Sequence, residues 1–197
     1  RVKSLEGAVI NLPISSVGAT ENVILAAVMA RGVTVLQNAA KEPEIATLCE
    51  FLREAGAVIE GIGGSVLIIQ GGHELHGVSF RVPADRIVAG TYLMSVIGAG
   101  GNIFLEDAPA SQMRGMLKIA DEIGAQIHIS REGLHVIADE HKRALPYVKT
   151  EIYPGFPTDM QSPLMAALTT AQGISVIEET IFEDRFRVAA QLRKMGA

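Results

Sequence analysis

The sequence predicts an α/β fold built from three copies of one unit, ordered strand, helix, strand, helix and two further strands. The first observation is an internal repeat, which identifies an architecture before any motif does. Two kinds of glycine recur with nearly constant spacing: Gly32, Gly101 and Gly173 each open a strand-like run, and Gly56, Gly124 and Gly196 each follow a helix-like segment. The second observation is that helical and alternating patterns of apolar residues succeed one another along the chain.

The first helix of each unit is predicted to be buried on all sides. The three segments, residues 21–30, 89–97 and 160–171, are apolar nearly all round and rich in small residues. A helix without a polar face has nothing to present to water, so it should pack among other helices. At the start of the first of these helices we expect Thr20 to be the N-cap.

The second helix of each unit is predicted to be amphipathic. In the first unit, one apolar stripe is formed by Ile45, Leu48, Cys49 and Leu52, which is the spacing of a single helix face. The glycine that follows, Gly56, stands where a left-handed C-cap is expected. Two alternating strands should close each unit, at residues 58–60 and 66–70 and again at 126–130 and 134–138.

The third unit stops at Gly196 and Ala197, before its two closing strands. A sheet left in that state has an unpaired edge. The chain also begins with Arg1 and carries no cleavable signal pattern. We therefore expect it to be a segment of a longer protein.

Composition and charge exclude several classes of protein. Of the 197 residues, 48% are hydrophobic and 20% charged, which is typical of a globular core. No apolar run reaches the roughly 18 residues of a membrane span, so we expect no membrane partner. The net charge of −5 and the absence of a long basic cluster argue against a nucleic-acid partner. A single cysteine fits the reducing cytoplasm, which is the expected location.

Neither a metal nor a cofactor is predicted. His73 and His76 flank a glycine-rich turn, but a metal site needs more ligands than these two. Cys49 lies on the apolar stripe of a helix, where a thiol more often packs in the core than acts as a nucleophile.

Two segments carry candidate functional residues, because each opens a first helix with hydroxyl or carboxylate groups. One is residues 15–22, which begin Ser15-Ser16-Val17-Gly18, and the other is residues 154–161, which contain Asp159. Free N–H groups and the positive end of the helix dipole make such a position suited to an anion. Simple N-capping explains either segment taken alone. The two prolines ahead of Asp159 fix the approach of the chain, as a positioned carboxylate requires.

Six linked motifs resemble the UDP-N-acetylglucosamine 1-carboxyvinyltransferases, a family of enolpyruvyl transferases. The motifs run in order along essentially the whole chain: Ser16-Val17-Gly18-Ala19-Thr20, Asn38-Ala39-Ala40, Glu42-Pro43-Glu44-Ile45, Asp85-Arg86-Ile87, Phe156-Pro157-Thr158-Asp159-Met160-Gln161, and Glu179-Thr180-Ile181-Phe182-Glu183 with Arg185-Phe186. Members of this family add the 3-hydroxyl of the sugar nucleotide to C2 of phosphoenolpyruvate and then eliminate phosphate. The resemblance implies UDP-N-acetylglucosamine and phosphoenolpyruvate as small-molecule partners.

The resemblance also implies an architecture, two inside-out α/β barrels of three βαβαββ repeats each. Residues 1–82 would be the last repeat of the first domain, and residues 83–197 the first two repeats of the second, with the final one incomplete. Buried helices would point their N-termini into the cleft between the domains.

The same resemblance assigns roles to individual residues. Ser16, Val17 and Gly18, with Ser15 beside them, match the loop that holds the nucleotide. Asp159 matches the carboxylate beside the sugar 3-hydroxyl and is the predicted catalytic base. Ile181 matches a position that touches the sugar nucleotide, and Arg185 a basic residue near the cleft.

Other parts of the family's site have no counterpart in these 197 residues. These are the Lys-Asn pair that meets phosphoenolpyruvate, the loop with the reactive cysteine, and a further arginine. Cys49 does not match that loop cysteine. We therefore expect the isolated chain to be inactive. Two alternatives stay open: a non-catalytic sugar-nucleotide-binding protein, and the related transferase acting on shikimate 3-phosphate.

Overall fold

The chain divides into two units, and each has its own hydrophobic core. The computed structural model describes residues 2–197, and the boundary between the units falls between Pro83 and Ala84. One core is centred on residues such as Ile24, Leu36 and Cys49, and the other on residues such as Leu93 and Met116.

The first unit is a full copy of the predicted repeat. Its elements are β1 (Val9–Asn11), α1 (Val17–Val28), β2 (Gly32–Gln37), α2 (Pro43–Glu54), β3 (Val58–Glu60) and β4 (Val66–Gly71). The strands form one sheet in the order β1-β2-β4-β3, in which β1 is parallel to β2 and the other neighbours are antiparallel. Alternate residues of β4 face opposite ways, so Leu67 and Ile69 are buried while Val66 and Ile68 are exposed.

The second unit contains the remaining elements. They are α3 (Arg86–Ala99), β5 (Gly101–Glu106), a 3₁₀ turn (Ala110–Gln112), α4 (Arg114–Ile123), β6 (Gln126–Ile129), β7 (Gly133–Ala138), β8 (Val148–Lys149), a second 3₁₀ turn (Thr158–Met160), α5 (Gln161–Leu168), β9 (Ile177–Glu178) and α6 (Arg187–Lys194). An antiparallel sheet has the order β5-β7-β6, and β8 pairs in parallel with β9.

Sheet topology confirms the internal repeat. The antiparallel order β5-β7-β6 reproduces β2-β4-β3, and the parallel pair β8–β9 reproduces β1–β2. The predicted left-handed glycines are confirmed as well, because Gly56, Gly124 and Gly196 have φ values of 107°, 115° and 100°. Each follows the amphipathic helix of its repeat and ends it in the conformation that glycine tolerates best.

Burial confirms the predicted amphipathic helices of the first two units. In α2 the buried residues are Ile45, Cys49 and Leu52, and in α4 they are Met116, Ile119, Ala120 and Ile123. Pro43 occupies the first turn of α2, where its missing N–H costs no hydrogen bond.

The prediction that Thr20 caps the first helix is wrong. α1 begins earlier, at Val17, and its N-cap is Ser16, whose Oγ accepts from the N–H of Ala19 at 3.4 Å. Thr20 is buried inside the helix, and its Oγ1 accepts from the N–H of Ala40 at 3.0 Å. The hydroxyl therefore joins α1 to the segment after β2 instead of closing a helix end.

Two predicted strands differ from the structure. Residues 72–85, all of them described, form no strand ahead of α3; in this segment Pro83 lacks a backbone donor, and Phe80 packs edge-on against Phe51 of α2 at 5.5 Å between ring centroids. The strand predicted after Gly173 is shorter in the structure, where β9 is Ile177–Glu178 and pairs with the two residues of β8.

The prediction that the first helix of each unit is buried on all sides is also wrong. Leu25 of α1 is 50% exposed and Met29, the C-cap of that helix, is 67% exposed, while Val88 and Tyr92 of α3 are 52% and 54% exposed. Within residues 2–197 these helices bury one face each. In residues 2–197 no helix is both long and apolar enough to cross a membrane.

Candidate active site

Asp159 lies on a short turn whose neighbouring residues are anchored in the core. Thr158 and Met160 are 9% and 0% exposed, and Gln161, at the start of α5, is fully buried. Between them, the side chain of Asp159 is 56% exposed. The flanking burial holds the backbone of the 3₁₀ turn while the carboxylate faces solvent, which is the arrangement that a pre-organised functional group needs.

Close backbone packing holds the segment that leads to this turn. The N–H of Glu151 donates to the carbonyl of Phe156 at 2.8 Å, which closes residues 151–156 into a loop. A Cβ atom on Gly115 of α4 would lie 2.8 Å from the carbonyl oxygen of Gly155. Only glycine allows the loop to approach α4 so closely.

The start of α3 supports the same loop. Asp85 is the N-cap of α3, and its Oδ1 accepts from the N–H groups of Ile87 and Val88 at 2.7 and 3.2 Å. The buried guanidinium of Arg86 lies over the ring of Tyr153, with 5.5 Å between its central carbon and the ring centroid. A cation in this position is attracted by the face of the ring.

Glu179, just after β9, joins the Asp159 turn to the next segment of the chain. Its Oε2 accepts from the hydroxyl of Thr158 at 2.8 Å, and its Oε1 accepts from the N–H groups of Ile181 and Phe182 at 2.8 and 3.1 Å. Partial burial acts to raise the pKa of Glu179, but hydrogen bonds from Thr158, Ile181 and Phe182 outweigh it and lower the pKa below its ordinary value. The ionised form is therefore the one that this site favours.

Arg185 faces Asp159 from that next segment. Its guanidinium lies 3.6 Å from Oδ1 of Asp159 and 4.9 Å from the ring centroid of Phe182. Both members of the ion pair are partly exposed, 34% for Arg185 and 56% for Asp159, so the pair contributes little to stability. At the surface, the guanidinium can instead bind an anion, and the carboxylate beside it can accept a proton.

The structure thus brings together three of the predicted site residues. Asp159, Ile181 and Arg185 lie within one network, in which Glu179 and Phe182 supply the connections. Ile181 is 36% exposed, so its side chain remains accessible while its N–H is held.

Ser15, Ser16, Val17 and Gly18 form the candidate site of the first unit, at the start of α1. Ser16 and Gly18 are exposed, and Ser15 donates to the carbonyl of Ala39 at 3.4 Å. Asn22, one turn along, donates to the carbonyl of Gly18 at 2.7 Å. The loop is therefore tied down at both ends and presents the first N–H groups of a helix, which lack intrahelical partners.

Cys49 is confirmed as a core residue. It is fully buried among apolar side chains. Burial is the main cause that raises the pKa of its thiol to about 11, with a smaller contribution from the nearby charge of Glu50. A buried thiol with a raised pKa is a poor nucleophile.

Sequence reasoning missed Glu179 and Phe182 as parts of the site, although both lie in a quoted motif. For Glu179, the internal repeat contains a pattern that indicates a structural role. The strand runs that open with Gly32, Gly101 and Gly173 close with Asn38, Asp107 and Glu179, so a polar residue recurs at one position of the repeat. Asn38 donates from its Nδ2 to the carbonyl of Leu12 at 2.9 Å, which shows what such a residue does.

Comparison with known proteins gives the chain's relatives. A family model described as EPSP synthase (3-phosphoshikimate 1-carboxyvinyltransferase) matches residues 1–197. The chain is 47% identical over 193 residues to a UDP-N-acetylglucosamine 1-carboxyvinyltransferase of Zymomonas mobilis, covering 98% of this chain and 45% of that protein. It is 45% identical over 197 residues to UDP-N-acetylglucosamine 1-carboxyvinyltransferase 1 of Caldanaerobacter subterraneus, covering 100% of this chain and 47% of that protein.

Solved structures share the fold. The enolpyruvyl transferase NikO from Streptomyces tendae matches with a TM-score of 0.84 at 21% identity, over 97% of this chain and 48% of that one. EPSP synthase from Acinetobacter baumannii matches with a TM-score of 0.61 at 21% identity, over 98% and 46%. These matches confirm the predicted α/β fold class, and the chain spans about half the length of the curated relatives it matches.

Proposed function

We propose, because this chain belongs to the EPSP synthase family of 1-carboxyvinyltransferases, that it forms part of an enzyme that transfers enolpyruvyl from phosphoenolpyruvate to the 3-hydroxyl of UDP-N-acetylglucosamine. The choice of acceptor is supported by relatives of that name at 44–47% identity. This transfer is the first committed step of peptidoglycan synthesis, and it takes place in the cytoplasm. The partners are these two small molecules, without nucleic acid, membrane or cofactor.

The observation that carries the proposal is the placement of Asp159. Its exposed carboxylate stands on a turn anchored by buried residues on both sides, 3.6 Å from Arg185. The sugar hydroxyl is a weak nucleophile at neutral pH, so a carboxylate within hydrogen-bond reach assists its attack on C2 of the enolpyruvyl group by accepting the proton. The addition also places a proton on C3, and the tetrahedral adduct then loses that proton together with phosphate, which restores the carbon–carbon double bond.

The remaining site residues bind and orient the substrate. Arg185 supplies a planar cation suited to an anionic oxygen. Ile181 offers an accessible apolar side chain from a turn whose N–H is held by Glu179. Ser15, Ser16, Val17 and Gly18 offer hydroxyl and backbone donors at a helix start, which suit the nucleotide end of the substrate.

A second candidate acceptor is shikimate 3-phosphate. It is favoured by the description of the matching family. Its solved relative from Acinetobacter baumannii is only 21% identical to this chain, whereas the sugar-nucleotide transferases are more than twice as similar. UDP-N-acetylglucosamine is therefore the preferred acceptor.

A titration tests the proposal on the chain itself. UDP-N-acetylglucosamine is added to the ¹⁵N-labelled chain and the backbone amide shifts are followed. We expect the largest changes at Ser16, Val17 and Gly18 and at Asp159, Ile181 and Arg185. If millimolar sugar nucleotide shifts none of these amides, the chain does not carry the site and the proposal is wrong.

A further inference from the structure

Glu179 uses its carboxylate to hold two different segments. Oε2 accepts from Thr158, 21 residues earlier in the chain, and Oε1 accepts from the N–H groups of Ile181 and Phe182. Hydrogen bonds to an ionised acceptor are roughly twice as strong as neutral ones. One side chain thus fixes the distance between the turn that carries Asp159 and the turn that carries Ile181.

The contacts around Glu179 form a closed circuit. Thr158 precedes Asp159 in the 3₁₀ turn, Asp159 faces Arg185, and the guanidinium of Arg185 lies over the ring of Phe182. The N–H of Phe182 returns to Glu179. Without Glu179, this circuit is open between Thr158 and the Ile181–Phe182 segment.

Thr150, directly after β8, holds the segment that follows Glu179. It is buried, its Oγ1 accepts from the N–H of Thr180 at 3.1 Å, and its carbonyl accepts from the hydroxyl of Thr180 at 2.7 Å. The residue directly after Glu179 is therefore held as well, so the carboxylate extends from a fixed backbone.

The first repeat contains a parallel arrangement. Asn38 follows β2 as Glu179 follows β9, and its side chain donates to the carbonyl of Leu12, in the segment that leads from β1 to α1. In both repeats the polar residue after the second strand is bonded to the segment that enters the first helix. Both of these segments carry predicted site residues.

We propose that Glu179 is a positioning residue, which holds the Thr158–Met160 turn against the Ile181–Phe182 segment so that Asp159, Ile181 and Arg185 face one bound substrate. In this role Glu179 acts through its hydrogen bonds to Thr158, Ile181 and Phe182. The inference rests on the proposed function for the identity of that substrate, and on the hydrogen bonds alone for the geometry.

Amide hydrogen exchange tests the geometry without any ligand. In Glu179→Ala we expect exchange of Ile181 and Phe182 to be roughly tenfold faster than in the unmodified chain, since each loses a charge-assisted hydrogen bond. Glu179→Gln keeps an oxygen that accepts from those two N–H groups, and its amide N–H donates to the Thr158 hydroxyl, which becomes the acceptor. This variant should therefore restore most of the protection. Unchanged exchange at both residues in Glu179→Ala overturns the proposal.

Glu178→Ala is the matched control. Glu178 is the adjacent glutamate, and its exposed carboxylate accepts a hydrogen bond from Tyr147 instead of from the site. This variant should leave the exchange of Ile181 and Phe182 unchanged. Equal acceleration in both variants would mean that any change near β9 loosens the segment, which also overturns the proposal.

Binding supplies the second readout. Calorimetric titration with UDP-N-acetylglucosamine should give roughly tenfold weaker affinity for Glu179→Ala and near-normal affinity for Glu179→Gln and Glu178→Ala. If Glu179→Ala does not fold, Thr158→Val removes one donor and should weaken binding in the same direction. An affinity loss for Glu179→Ala that Glu179→Gln does not reduce would contradict a positioning role.

The proposed function and the positioning role of Glu179 can be refuted independently. If the unmodified chain binds no sugar nucleotide, the proposed function fails, and the exchange experiment alone then decides whether Glu179 holds the two segments. If the unmodified chain binds and Glu179→Ala binds equally well, the positioning role fails while the proposed function stands.

Discussion

At the scale of single residues, two carboxylates near each other have opposite surroundings. Asp159 is exposed and has one ion-pair partner at 3.6 Å. Glu179 is half-buried and accepts three hydrogen bonds from protein donors. A carboxylate whose lone pairs are occupied suits a structural role, and one that remains open to solvent suits proton transfer.

Replacement of Asp159 by asparagine separates catalysis from capping. In the enzyme of which this chain is proposed to form part, Asp159→Asn should lower kcat by about 10²–10⁴-fold, because a general base is lost. Binding of the sugar nucleotide should change little. The measurement is the release of phosphate from phosphoenolpyruvate in the presence of UDP-N-acetylglucosamine.

Asp184→Asn is the control for this measurement. Asp184 is an exposed carboxylate near the site, bonded to Arg187 at 2.6 Å, and its φ of 58° is one that asparagine adopts readily. It should keep near-normal turnover. If Asp159→Asn also keeps near-normal turnover, Asp159 is not the base.

The hydrogen bonds of Glu179 predict a dependence on pH. Its pKa is lower in the folded chain than its ordinary value of 4.5, so its contribution to stability is complete above that value and is lost as pH falls through the lowered one. Relative to neutral pH, Ile181 and Phe182 should lose protection at acid pH in the unmodified chain. In Glu179→Gln this acid-dependent loss should be absent, as measured by amide exchange from pH 3 to pH 6 after correction for intrinsic rates.

At the scale of elements, a buried lysine ties the ends of two helices. Lys142 is 8% exposed, and its Nζ donates to the carbonyl of Gly98 near the end of α3 at 2.6 Å and to the hydroxyl of Thr170 beyond α5 at 3.1 Å. A cation at a helix C-terminus is also favoured by the helix dipole. Packing of α3 on α5 is close, since a Cβ on Gly98 would lie 3.4 Å from the Cα of Ala167.

Removal of that ammonium should destabilise the second unit. Lys142→Met keeps most of the aliphatic chain but loses both hydrogen bonds, so the free energy of unfolding should fall by about 1.5–3 kcal/mol. Urea denaturation measures it. Lys118→Met is the control, because Lys118 is 77% exposed and lies 3.7 Å from Glu122 on the surface of α4; equal effects of the two substitutions would contradict a special role for Lys142.

The last helix is predicted to be the least stable element. α6 has the same amphipathic pattern as α4, yet none of its residues, Arg187–Lys194, is buried, whereas α4 buries four. A helix with little buried apolar surface opens with a low free energy. Its amides should exchange faster than those of α2 and α4, and slow exchange throughout α6 would show that its apolar face is covered in solution.

At the scale of the whole molecule, sequence similarity supports the proposed acceptor. The matches to UDP-N-acetylglucosamine 1-carboxyvinyltransferases cover nearly the whole of this chain and about half of each relative. The candidate residues of each unit are brought together only when that unit folds. A ligand that uses such residues binds the folded chain and not the unfolded one.

A thermal-shift experiment follows from this. UDP-N-acetylglucosamine should raise the Tm of the chain in proportion to the logarithm of its concentration once it exceeds the Kd. Shikimate 3-phosphate at equal concentration should leave the Tm unchanged. A larger shift with shikimate 3-phosphate would reverse the choice of acceptor.

The sequence by itself determined the repeat, the α/β class and most helices and strands. These features depend on local patterns: the stripe of Ile45, Cys49 and Leu52, the alternation along β4, and the left-handed glycines Gly56, Gly124 and Gly196. Asp159, Ile181 and Arg185 are predicted as well, through the resemblance of their motifs to the UDP-N-acetylglucosamine 1-carboxyvinyltransferases.

Only the tertiary structure decided how the candidate residues are held. Thr158 and Glu179 are 21 residues apart, and Thr20 and the N–H of Ala40 are 20 apart, so neither pairing is visible in a local pattern. The exposed faces of α1 and α3 also depend on what packs against them rather than on their composition. Hydrogen-bond partners and burial are properties of segments brought together by folding, and local propensity does not encode them.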